Sequence, residues 1–240
     1  MNLKKPLEVI ASPNRENLFY ENVFREGEDI DFFVKTLEPI AAELKEKKVD
    51  YPLTIFYLSL KWYGFAFKFL EKQLGRDPYY PTTSEALPEN RLFAQYHAPQ
   101  TQAMKDLVLT ELASPSSKVR VIFATVVMGM GVDVPSIRFV IHVGAPRSIR
   151  EYMQETGRAG RDGKPSVILH FNNKDIATNR TEISDDIRAY CRLDKACLRK
   201  FLLLMPSYPL SLNTELLSRL ATCSTEFSIH LGQKPLYKTV

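Results

Sequence analysis

The sequence predicts an α/β sandwich built on a mostly parallel sheet and followed by short helices. Short runs of strand-forming residues alternate along the chain with amphipathic helical patterns, which is the signature of strand-helix repeats. The run LTIFYL at 53–58 is continuously apolar rather than alternating, as expected of a strand covered on both faces. The composition agrees: 240 residues, 45% hydrophobic and 25% charged, can bury a sizeable core and argue against wholesale disorder.

Residues 6–25 alternate apolar and polar positions around Ser12-Pro13-Asn14-Arg15, a turn signal leading into a short strand. From 28 to 47, Ile30, Phe33, Val34, Leu37, Ile40, Ala41 and Leu44 recur at three and four, marking an amphipathic helix with Pro39 as a point of bending. The buried strand at 53–58 is followed by a helix over 61–74. Residues 75–90, GRDPYYPTTSEALPEN, carry three prolines and no periodicity, so they read as an exposed insertion. The alternation then resumes: strand 91–96, helix 99–112, strands 118–125 and 137–143, helix 148–156, strand 166–171. Helical patterns follow at 183–191 and 195–205, then a tail with one helical stretch at 214–220. In sheets of this class the functional loops leave the carboxyl ends of the strands, and both candidate loops below are expected there.

Net charge is +4, which permits a polyanionic partner without requiring one. The N-terminus MNLKKPLEVI lacks an apolar h-region and no apolar run reaches the length of a membrane span, so an intracellular protein is expected. Cys191, Cys197 and Cys223 are too irregularly spaced for a disulfide framework and are read as thiols. With His97, His142, His170 and His230 they give no metal-ligand spacing. His97 and His142 are read as packing or backbone-bonding groups, and Trp62 as core or edge packing.

Chemistry concentrates in residues 121–165. The pair Arg158 and Arg161, each preceded by a glycine, suits polyphosphate: an arginine fork makes two parallel bonds to phosphate oxygens, and glycine lets a backbone approach. A solvated helix end with a glycine turn explains GRAGR equally well. The loop Gly129-Met130-Gly131-Val132-Asp133 fails the dinucleotide pattern because Val134 stands where a glycine is needed. Gly163-Lys164 fails the phosphate-loop pattern because Arg158 and Pro165 stand at its fixed positions. Neither a Walker A loop nor a DExH or DEAD tetrapeptide occurs, so this stretch of chain has no means of its own to hold Mg²⁺ with the β- and γ-phosphates.

ATVVMGMGVDVPSIRFVIHVGAPRS and YMQETGRAGRDG resemble motifs V and VI of superfamily 2 helicases, and QETGRAGRDG with FVIH and PRS resembles the RecQ family of DNA helicases. Pro13-Asn14-Arg15-Glu16-Asn17-Leu18 is similar to the lead into that family's second RecA-like lobe. IFYLSLKWYGFAFKFLEKQLG is similar to motif IV, and AQYHAPQTQ to its YHAGL segment, with Pro99 and Gln100 in place of Gly and Leu. IRAYCRLDKACLRKFLLL resembles the start of the helical zinc-binding subdomain, where Cys197 matches the first ligand. The rest of that cysteine cluster is missing, so no zinc is expected.

The resemblance implies a RecA-like three-layer lobe. Its divisions would be a lead-in segment at 1–27, the helicase C-terminal lobe at 28–177, the helical start of a degenerate subdomain at 178–206, and a tail at 207–240. It implies that ATP and Mg²⁺ are shared with a first RecA-like lobe supplied in cis or in trans. Arg161 would be the arginine finger, Arg158 its neighbour at the phosphates, Gln154 a link between nucleotide and DNA, and Asp133, with Gly131 beside it, a partner of the ribose. Thr125, Gly129 and Ser59 would meet the backbone of DNA, single-stranded or at a duplex junction; for Ser59 a plain helix N-cap is the alternative. The function implied is the second motor lobe of a nuclear ATP-dependent 3′–5′ helicase in DNA repair and recombination, inactive as an isolated chain. The competing expectation is a non-catalytic module that binds nucleic acid or a protein partner.

Overall fold

The computed structural model describes residues 14–24, 30–75, 77–125, 134, 137–172, 176, 182–193 and 197–205. Six strands, β1 (Leu18–Phe24), β2 (Thr54–Leu58), β3 (Phe93–Tyr96), β4 (Val121–Ala124), β5 (Phe139–Val143) and β6 (Ser166–Asn172), form one sheet in the order β1-β6-β5-β2-β4-β3. Every pairing within it is parallel. The helices are α1 (Ile30–Lys47), α2 (Leu60–Leu74), α3 (Gln102–Ala113), α4 (Ile149–Thr156), α5 (Asp185–Cys191) and α6 (Leu198–Leu204). The expected α/β class and its trailing short helices are therefore present, and the strand that opens the chain is a full member of the sheet.

Two cores, one on each face, explain the continuous apolar run of β2. Ile55 and Tyr57 point to the face covered by Val108 and Leu112 of α3, Ile149 and Tyr152 of α4, Ile187 and Tyr190 of α5, and Leu202 of α6. Phe56 and Leu58 point to the opposite face, against Phe33, Leu37, Ile40 and Leu44 of α1 and Trp62, Ala66 and Leu70 of α2. Successive side chains of a strand alternate between faces, so a strand covered on both faces is apolar at successive positions, as Ile55 to Leu58 are, while the buried Thr54 donates its hydroxyl to Pro52 O at 2.9 Å. The α1 helix continues through Pro39, and Trp62 stacks on Phe33 at 4.3 Å between ring centroids, which places it in the core.

The position of the second candidate loop corrects the expectation from sequence. A parallel strand pair requires its crossover helix to return the chain to the edge from which the first strand started. Helix α4 leaves the carboxyl end of β5 and does this, so residues 157–165 lie at the amino edge of the sheet. Gly160 N–H donates to Ile137 O at 2.9 Å, Ser166 Oγ donates to the same carbonyl at 3.0 Å, and Arg138, just ahead of β5, pairs with Asp162. The cysteine expectation also changes: Cys191 is a buried thiol, whereas Cys197 is disulfide-bonded. The helical stretch expected at 214–220 lies outside the described residues as well.

Phe56 is 1% exposed at the middle of the central strand. Replacing it with alanine removes a buried ring and leaves a cavity, so Phe56→Ala should destabilise the chain by about 3–5 kcal/mol, read as a fall in the urea midpoint at unchanged slope.

Candidate functional site

The arginine loop begins where α4 ends. Ser148 caps the helix, its Oγ accepting from Glu151 N–H at 3.2 Å, while Glu151 Oε2 accepts from Arg147 N–H at 2.8 Å. The first bond satisfies an amide left open by the helix start, and the second ties the residue before the cap to the first turn. At the other end Gly157 closes the last turn, and a Cβ there would come within 2.7 Å of Met153 O. Gly160 has φ +55°, and a Cβ on it would meet the Asn17 amide at 2.5 Å and Ser166 Oγ at 2.7 Å. The glycine before Arg161 is thus required by a left-handed turn and by close approach of protein groups.

Those groups come from the start of the chain. The Arg15 guanidinium donates to Gly157 O at 2.8 Å, Ala159 O at 2.7 Å and Gly160 O at 2.5 Å. The Asn17 amide donates to Gly160 O at 2.8 Å and Lys164 O at 2.9 Å. On the far side Arg138 Nη1 donates to Asp162 Oδ1 at 3.0 Å. The Arg138 hydrogen bond is the main cause that holds the Asp162 carboxyl below the usual range. In the sequence Arg15 closes a turn signal and Asn17 belongs to the lead-in segment; the available signal is two donors just ahead of a strand.

The structure separates the two arginines. Arg161 is exposed, whereas Arg158 is 9% exposed and turns into the lobe within electrostatic reach of Tyr57. Burial, followed by the nearby Glu155 charge, pushes the Tyr57 phenol well up, and Arg158 opposes that shift. Glu155 Oε2 lies 2.7 Å from His142 Nε2, with both side chains almost fully buried. The His142 ring stacks on Tyr57 at 4.8 Å. Behind them the Tyr152 and Tyr190 hydroxyls bond at 3.0 Å, joining α4 to α5. His142 is thus a packed, bonded histidine, and Glu155 is a buried acid that sequence reasoning did not single out. Gln154, on the same last turn of α4, is exposed.

The remaining candidates lie at the opposite edge. Ser59 follows β2, His97 follows β3 and Thr125 follows β4, and these three strands are neighbours. Adjacent strands are about 4.8 Å apart, so the three residues form a short row along the carboxyl edge. Ser59 stands at the N-cap of α2 but makes no side-chain capping bond, and it is exposed. Thr125 is half-buried, its N–H donating to Tyr96 O at 3.2 Å. His97 packs against Tyr63 at 4.6 Å, and burial, then Lys105, lowers its pKa. Gly129, Gly131 and Asp133 lie outside the described residues. Among the described residues no group of three His, Cys, Asp or Glu could hold a metal ion, and no helix is long and apolar enough to cross a membrane.

The helicase conserved C-terminal domain family matches residues 78–163. ATP-dependent helicase SGS1 of Saccharomyces cerevisiae is 31% identical over 221 residues, 85% of this chain and 14% of that protein. ATP-dependent DNA helicase Q-like 2 of Arabidopsis thaliana is 32% identical over 210 residues, 83% of this chain and 27% of its own length. RecQ-like DNA helicase blm-1 of Caenorhabditis elegans is 40% identical over 104 residues, 36% of this chain and 10% of that protein. The chain belongs with the RecQ-like helicases. It corresponds to their C-terminal RecA-like lobe and spans about a quarter or less of the length of these relatives. Among solved structures, Mss116p DEAD-box helicase domain 2 bound to an RNA duplex aligns with a TM-score of 0.48 at 20% identity, covering 66% of this chain and 54% of that one.

In this RecQ-like lobe the His142–Glu155 contact links β5 to the last turn before the arginines. Removing one member of a buried polar pair strands the other, at a cost of about 3 kcal/mol or more. Glu155→Ala should therefore lower stability by that order in a denaturant titration, with Glu155→Gln losing distinctly less because it can still hydrogen-bond.

Proposed function

We propose that this chain is the second motor lobe of an ATP-dependent 3′–5′ DNA helicase, with Arg161 as its arginine finger. The observation that supports this most strongly is an exposed arginine on a loop whose backbone is bonded on both sides of it by Arg15 and Asn17. A donor aimed at developing charge is most effective when it need not reorganise. ATP, bound with Mg²⁺ between this lobe and a first RecA-like lobe in cis or in trans, supplies the phosphoanhydride bond whose cleavage drives the cycle. The first lobe holds the metal. Arg161 places its fork at the γ-phosphate. Arg158 adds a buried charge behind it, where the low dielectric lengthens its reach. Gln154 is exposed one turn back, suited to pass changes between nucleotide and DNA, and Asp133 beside Gly131 takes the ribose hydroxyls.

On the carboxyl edge Thr125 and Ser59 bond DNA phosphates, with Gly129 leaving the backbone room to approach. Such contacts carry no base information, which suits a motor that tracks along a strand, single-stranded or at a duplex junction. A nuclear setting goes with that substrate, and zinc has no part in the reading. The second reading, a module that holds nucleic acid without turnover, needs the carboxyl edge alone and not Arg161.

Two experiments separate them. The chain alone should show no DNA-stimulated ATPase, and a first RecA-like lobe added with single-stranded DNA should restore turnover that Arg161→Ala lowers by about 10³-fold or more. Turnover by the chain alone, or restoration indifferent to Arg161, counts against the motor-lobe assignment. DNA affinity should fall steeply and linearly in log–log form as salt rises from about 50 to 200 mM, and a salt-independent affinity counts against the phosphate contacts.

A further inference from the structure

We propose that Arg15 is a positioning residue for the arginine finger, acting on Arg161 through the loop carbonyls; this rests on the motor-lobe reading above. Its one planar fork takes up three acceptors, Gly157 O, Ala159 O and Gly160 O, and Asn17 takes up Gly160 O and Lys164 O. The five bonds bracket Arg161 on both sides in sequence and leave its side chain exposed. A helix C-terminus carries unsatisfied carbonyls and partial negative charge. Arg15 brings a donor and a positive charge to the C-cap carbonyl of Gly157 and donors to the loop carbonyls of Ala159 and Gly160 beyond it.

The brace is itself held. Leu18 N–H donates to Arg15 O at 3.1 Å, Ser166 N–H donates to Asn17 O at 2.9 Å, and Arg199 of α6 donates to Glu16 O at 3.3 Å and Leu18 O at 2.5 Å. The finger loop is therefore referenced to the sheet and to the trailing helices through one short segment. Closure of the loop does not need Arg15, because Gly160 N–H already bonds Ile137 O and Asp162 already pairs with Arg138. What Arg15 adds is the orientation of the peptide units next to Arg161. An error of about 1 Å in a catalytic group costs on the order of 10²-fold in rate. Lysine cannot replace this fork, since it offers one compact ammonium rather than a planar set of donors.

The test uses the full chain in two arms. In hydrogen exchange, Arg15→Ala should speed the amides of Gly157, Ala159, Gly160 and Gly163 by about tenfold or more, the equivalent of losing one charge-assisted bond, with β2 unchanged. Unchanged exchange in the loop overturns the inference. In steady-state ATPase with single-stranded DNA and a first RecA-like lobe from a RecQ-like helicase, Arg15→Ala should lower kcat by on the order of 10²-fold with KM for ATP within about twofold. Arg15→Lys, which retains the charge if the alanine variant misfolds, should keep the fold and lose most of kcat. Full kcat in a folded Arg15 variant, or a rise in KM alone, overturns this inference and leaves the motor lobe standing. No turnover by the unsubstituted pair overturns both.

Discussion

A helix that ends in a glycine loop leaves carbonyl groups with no partner inside the helix, and those groups need donors from elsewhere. In this chain the loop amides of Gly157, Arg158 and Ala159 take the helix-end carbonyls of Met153, Glu155 and Thr156, and Arg15 and Asn17 take the carbonyls of the C-cap and the loop itself, Gly157, Ala159, Gly160 and Lys164. Much of the surrounding structure follows from bringing those donors there. The segment at 14–17 must lie beside residues 164–166, so β1 must run parallel to β6, with Leu18 opposite Ser166. A sixth strand at that edge then gives α5 and α6 a wider face to cover, and Asn22 of β1 donates to the Cys191 carbonyl at 3.0 Å to hold α5 in place.

The two candidate surfaces occupy opposite edges of one sheet. Ser59 and Thr125 lie at the carboxyl edge and the arginine loop at the amino edge. Helix α4 crosses between them, an eight-residue helix of about 12 Å. Its inner side is tied to the sheet by the His142–Glu155 contact and to α5 by the Tyr152–Tyr190 hydroxyl pair. A helix fixed at these points shifts as a unit with the strand and helix it contacts, and Gln154 rides on its outer side.

The elements were legible in the sequence because their signals are local. The three-and-four spacing of α1, the doubly apolar β2 and the proline-rich insertion each declare themselves within a dozen or so residues. Arg158 and Arg161 were legible as a pair but not as an exposed and a buried partner, since that division depends on Tyr57 and Glu155 from elsewhere in the chain. A glycine beside arginines suggests room for a ligand, while the neighbours of Gly160 are protein atoms. Arg15 was the hardest to see: its acceptors lie 142 to 145 positions away, and no periodicity or spacing rule spans such a gap. The amino-edge position of the loop needed only topology, since a parallel crossover always brings the chain back to the edge where it began.

The pairing of β1 with β6 also sets an order of events for the newly made chain. Leu18 cannot meet Ser166 until the other described strands have been synthesised, and closing that loop carries an entropic cost before any bond repays it. The central strands can associate earlier, around β2. The brace on the arginine loop therefore forms only once β6 is made, with Arg199 of α6 securing it later still, and a chain interrupted before β6 would carry its sheet centre with that loop unbraced.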